Sequence, residues 1–180
     1  MLKTISLLLP LVAIVALLTV QRVRRLPIDV LGLRRPRALT FGTWLVVWIV
    51  WMAIAEFVGV RLGIAPPRAW HYSIGMTLFR TAMIGIAGPM AEELAYRGAV
   101  LYALEVRASL SAVFAVVVTA IVWTASHFQY DVTTMGMIFI DGVILGAARV
   151  QSRSTLTSGA MHVIGNLFSI YQSLRGTSGV

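Results

Sequence analysis

Apolar residues run along this chain in long blocks broken by short polar stretches, and six blocks approach the ~20 residues that a helix needs to cross a hydrocarbon core. They cover Ile5 to Val20, Phe41 to Val60, Ile74 to Leu104, Leu110 to Phe128, Thr133 to Val150 and Leu156 to Leu174. The first block is short but extends back to Leu2. Lys3 before it resembles the start of a signal peptide, yet an arginine cluster follows at once and no small-x-small cleavage site precedes that cluster, so the block reads as a retained anchor. The third is longer than one crossing, and Gly88-Pro89 in its middle removes a backbone donor and favours a kink. The only sizeable connection runs from Gln21 to Thr40. The pattern therefore predicts an all-α fold, a polytopic transmembrane helical bundle of about six spans forming one membrane domain over residues 1–180.

Composition agrees. Of 180 residues, 58% are hydrophobic and 12% charged, more apolar surface than a soluble domain of this size can bury. The absence of cysteine excludes disulfides, thiolate metal sites and cysteine nucleophiles. The net charge of +8 would suit a nucleic-acid binder, but the densest basic stretch (Arg22, Arg24, Arg25, Arg34, Arg35, Arg37) lies between two apolar blocks. That is the reading of a cytoplasmic loop facing anionic lipid headgroups, with no nucleic acid as partner. Arg107, Arg149 and Arg153 fall on the same side; Lys3, Arg61, Arg68 and Arg175 fall on the other. The asymmetry places both termini outside, with residues 1–40 as an N-terminal anchor and basic cytoplasmic loop. The eight methionines and five tryptophans read as lipid-facing or interfacial residues, and Gly142 with Gly146 as a small-residue face for close helix packing.

Against this background the buried polar residues stand out, because each charge at mid-bilayer costs roughly 2.5–3.5 kcal/mol on the insertion scale. They mark function by default. The third block holds Ala91-Glu92-Glu93-Leu94-Ala95-Tyr96-Arg97, the fourth ends Trp123-Thr124-Ala125-Ser126-His127, and the sixth carries His162-Val163-Ile164-Gly165-Asn166. Glu93 and Arg97 are four apart and stack as an ion pair on one helix face. Glu92 points about 100° away and shares a second face with Tyr96. His162 and Asn166 project together, as do Trp123 and His127. Three polar faces can line one wet cavity, where a carboxylate and an imidazole take a proton from water and a second imidazole and an amide stabilise an oxyanion. Ser126 is a poor nucleophile beside His127, since consecutive helical residues diverge. Asp141 is placed to orient His162, and Glu56 to sit at an interface. With straight helices, His127 falls near the outer end of its span and His162 two turns from the cytoplasmic end of its own. A kink, a tilt or a re-entrant stretch over Gln129 to Thr134 must join them.

Glu-Glu-x-x-x-Arg at Glu92, Glu93 and Arg97, aromatic-x-x-x-His at Trp123 and His127, and His-x-x-x-Asn at His162 and Asn166 together resemble the CPBP family. These are CAAX-prenyl and bacteriocin-processing intramembrane endopeptidases, also called the Abi family. The resemblance covers about residues 74–174, the expected catalytic core, and implies a glutamic-type hydrolase of the prokaryotic cytoplasmic membrane. On that pattern Glu92, assisted by His127, activates water; His162 and Asn166 stabilise the oxyanion; Glu93 and Arg97 support the site, with no cofactor. Trp123 stands where phenylalanine is usual, a conservative change. The chain is shorter than the eukaryotic prenyl-protein members, which favours a membrane-anchored or peptide substrate of the C-terminal sorting-signal or bacteriocin type. Two alternatives stay open. One is a zinc metalloprotease with Glu92, His127 and His162 as ligands, although the compact His-Glu-x-x-His arrangement is absent. The other is a non-catalytic immunity or transport protein that binds a peptide.

Overall fold

The computed structural model describes residues 6–64 and 67–176, and the described residues form helices and turns. The start of the first apolar block, Leu2 to Ile5, lies outside them. We number the helices α1 (Leu9–Val23, entered by a 3-10 turn at Ser6–Leu8), α2 (Ala38–Arg61), α3 (Ile74–Arg107), α4 (Ala112–Ala125), α5 (Val132–Ser152) and α6 (Thr155–Arg175). Four segments are long and apolar enough to cross a membrane: Ser6–Val23, α2, α3 and α5. The 14 residues of α4 are apolar but reach only ~21 Å. The 21-residue α6 has the length, and its polar residues lower its hydropathy. The chain is an all-α membrane bundle.

Short polar side chains cap the starts of α3, α4, α5 and α6. Ser111 accepts from Phe114 N at 3.3 Å, Ser154 from Leu156 N at 3.2 Å, and Asp131 from the N–H groups of Thr133 and Thr134 at 3.0 and 3.1 Å. The Thr134 hydroxyl adds a bond to Asp131 and, with those amides, holds its carboxyl below the usual carboxylate range.

In α3 the Gly88-Pro89 step does not end the helix. A π-helical turn over Thr81–Ala87 precedes it and another over Leu94–Val100 follows Glu93. In this register an N–H bonds the carbonyl five residues back, as Gly88 N–H does to Met83 O. The same register would give the Ile84 carbonyl to residue 89, and Pro89 has no N–H to offer. Asn166 on α6 supplies the missing donor, with Nδ2 3.0 Å from Ile84 O. Proline thus fastens α3 to α6 by leaving a carbonyl that a side chain must satisfy.

α4 and α5 pack closest where glycines remove the side chain. A Cβ on Gly142 would stand 2.9 Å from Ala120 Cβ and 3.2 Å from Trp123 Cε3, and one on Gly146 2.9 Å from Val116 Cγ1. Lipid tails are as apolar as leucine, so close van der Waals contact of this kind and interhelical hydrogen bonds hold such helices together. Gly142→Val should therefore force α4 and α5 apart and destabilise the protein by about 1–3 kcal/mol. A lower thermal midpoint in detergent checks this, and an unshifted midpoint would contradict it.

The tryptophans of α2 correct the expectation that they face lipid. Trp44, Trp48 and Trp51 recur at helical spacing and turn inward. Trp48 is buried in a cluster with Trp123, Leu145, Ala148 and Met161, and Gly165 gives its ring room. Trp44 Nε1 donates to Gln151 at 2.7 Å and Trp51 Nε1 to Asp141 at 2.5 Å. An indole N–H finds no acceptor among lipid tails, so pairing across the helices prevails for Trp44 and Trp51, while Trp48 is held by packing alone.

The basic loop also docks. Leu31 is buried and packs on Gly98 of α3, where a Cβ would meet Leu31 Cα at 3.1 Å. Arg149, counted on the same side as the loop arginines, is buried, donating to Thr155 Oγ1 at 2.9 Å and Asp29 O at 3.2 Å. Thr155 N bonds Gly32 O at 2.8 Å, and Gly32 adopts the positive φ of +61° that brings this carbonyl to the start of α6.

Candidate active site

The middle of α3 points two carboxylates at different neighbours, as adjacent helical positions must. Glu93 is fully buried. Its Oε1 accepts from Arg97 Nη1 at 2.9 Å and lies 3.1 Å from His162 Nδ1. Arg97, also fully buried, sends Nη2 to Gly142 O at 3.3 Å and lays its guanidinium over the Trp123 ring at 4.3 Å. The ion pair expected within α3 is present, and it does more than expected, since it also reaches α4, α5 and α6.

Glu92, half-buried, turns the other way. Its Oε2 accepts from Trp123 Nε1 at 2.7 Å. His127 sits in the turn beyond α4 with Nδ1 2.9 Å from the Trp123 carbonyl. A carbonyl oxygen only accepts, so in the neutral ring this bond places the His127 proton on Nδ1 and leaves the lone pair on Nε2. By the same reasoning the Glu93 carboxylate takes a proton bond from His162 Nδ1. Ser126 Oγ donates to the Trp123 carbonyl at 2.6 Å, so its hydroxyl is engaged with backbone.

These groups border one cavity of about 320 Å³. Its wall includes Glu92, His127, His162 and Asn166, with Met83, Ile84 and Gly88 from α3, and Gln129 and Tyr130 from the α4–α5 turn. Ser6, Leu7 and Pro10, at the start of the N-terminal helix, close another side. All four residues named from sequence as reactive thus meet around one space, while Glu93 and Arg97 lie behind it. The short α4 and the turn after it bring the two histidines to the same cavity. α4 ends at Ala125, and the Trp123 ring stands between the imidazoles, 5.0 Å from His127 and 5.3 Å from His162, edge-on to both.

Asp141 does not orient His162; it accepts from Trp51, and Glu93 takes the histidine instead. Spacing within one helix predicted Glu93 with Arg97, but no sequence signal says which foreign helix reaches the second side of a carboxylate. Glu56 is exposed and accepts from Gln172 Nε2 at 2.8 Å, outside the site. Among the described residues no three His, Asp or Glu side chains gather as a metal-binding set.

No curated protein and no solved structure matches the chain. A family model, type II CAAX prenyl endopeptidase Rce1-like, matches residues 74–168, more than half of the chain and the stretch that holds all three motifs. The chain therefore belongs to the Rce1-like family of type II CAAX prenyl endopeptidases and is an integral membrane protease of that kind.

Proposed function

We propose that the chain hydrolyses a peptide bond with water activated by Glu92 and His127. The observation that carries the reading is the shared cavity: a carboxylate, two imidazoles and an amide from three parts of the chain face one space inside an apolar bundle. Glu92 Oε2 is held by Trp123, which leaves Oε1 to accept a proton from water. His127 offers the Nε2 lone pair as the second basic atom. The hydroxide attacks the carbonyl carbon, and the oxyanion takes hydrogen bonds from His162 Nε2, when the ring is protonated, and from the second amide hydrogen of Asn166. The proton held by Glu92 and His127 passes to the leaving nitrogen as the C–N bond breaks. Glu93 and Arg97 keep His162 and Trp123 in place behind this chemistry.

The substrate we infer is a peptide presented by a membrane-anchored chain, of the C-terminal sorting-signal or bacteriocin kind, since the cavity admits a short extended segment and no folded domain. The test is cleavage of such a peptide by the protein reconstituted in vesicles. Wild type should cut in the presence of a strong chelator, and His127→Ala should lose about 10²–10⁴-fold in kcat. Full activity of His127→Ala would remove the imidazole from the mechanism, and chelator-sensitive cleavage would move the reaction to a metal.

A further inference from the structure

We propose that the indole N–H of Trp123 is a positioning device for the reaction, fixing which oxygen of Glu92 acts as base; the proposal rests on the role given to Glu92 above. The contact is short for an N–H···O bond, 2.7 Å, as expected when the acceptor is charged. Four further contacts fix the direction of that N–H. The Arg97 guanidinium covers one face of the ring. His127 and His162 meet it edge-on. Gly142 leaves space beside Cε3 that any larger residue would take. A buried ring held on these sides cannot swing its donor elsewhere, so Glu92 is held by Oε2 and presents Oε1 to the cavity.

The backbone of the same residue does a parallel task. The Trp123 carbonyl takes His127 Nδ1 at 2.9 Å and so selects the tautomer whose Nε2 is basic. One residue thereby sets both proton acceptors, the carboxylate through its side chain and the imidazole through its main chain. Phenylalanine, usual at this position in the resembling family, would keep an aromatic ring and the carbonyl but lose the donor. The substitution is therefore not conservative for this chain: it adds a bond to the reactive carboxylate.

The test separates shape from hydrogen bonding. Replacing Trp123 by 3-benzothienylalanine keeps the bicyclic ring and puts sulfur where the N–H was. Incorporating 5-fluorotryptophan keeps the N–H and controls for the altered residue. The sulfur variant should lose about tenfold in kcat with KM and thermal midpoint unmoved, and Trp123→Phe should lose at least as much. The fluorinated protein should match wild type. In a Glu92→Gln background the sulfur replacement should have no further effect on residual turnover, because the base it positions is gone. Full kcat in the sulfur variant would overturn the proposal, as would a loss confined to KM. If Glu92→Gln itself cleaves normally, the assignment of the base fails; if Glu92→Gln is inactive and the sulfur variant fully active, only the role of the indole fails.

Discussion

Glu92→Gln is expected to lower kcat by about 10²–10⁴-fold, with peptide affinity and thermal midpoint close to wild type. The change is nearly isosteric, and the glutamine carbonyl can still accept from Trp123 Nε1, so the packing around the indole survives. What disappears is the basic oxygen. His127 keeps its lone pair, and His162 and Asn166 keep their places on the cavity wall. The variant should therefore bind substrate and hold it uncleaved, which makes it a trap for the natural substrate in membranes. Mass spectrometry of a reconstituted cleavage reaction checks the rate. Turnover at the wild-type level would mean that another group activates the water.

The largest loss of stability should follow Arg97→Met. Methionine fills much of the volume, but it leaves the fully buried Glu93 carboxylate without its cation, beside the His162 imidazole and the Ser158 hydroxyl. Breaking a buried pair from one side costs about 3–5 kcal/mol, because an uncompensated charge remains in a medium that cannot solvate it. Here the loss includes the guanidinium over Trp123 and the bond to Gly142 O, so three helices loosen together. Glu93→Gln combined with Arg97→Met removes the charge as well and should recover part of the stability, while cleavage stays impaired because His162 has lost its carboxylate partner. Unfolding in graded denaturing detergent measures both. If the single variant is as stable as the double, the pair is not what ties α3 to its neighbours.

These two residues also show how far reading along the chain can go. Glu93 and Arg97 are neighbours on one helical turn, so their pairing follows from spacing alone, and the observed 2.9 Å contact agrees. The divergence of Glu92 from Glu93 follows equally from 100° per residue. The third partner, His162, is 69 positions away, and no rule of helical spacing selects Glu93 over Asp141 as the carboxylate that holds it. Asp141 was the natural candidate to hold His162 by its height in the membrane. It is taken by Trp51 because α2 brings an indole donor to that face of α5.

The apolar blocks and their lengths were enough to specify an all-helical membrane bundle, because a backbone in hydrocarbon must satisfy its own hydrogen bonds and a helix does so within one segment. The order of the three polar motifs was likewise sufficient to point to hydrolytic chemistry. Which faces meet was left to packing: the glycines that admit α4 against α5, the proline that leaves a carbonyl for Asn166, and the indoles of Trp44 and Trp51 that turn inward for acceptors. Such choices depend on shape and on hydrogen bonds between distant segments. Periodicity records only the neighbours along one helix, so the arrangement of Glu92, Asn166 and the two histidines around a single cavity emerges when the helices are assembled.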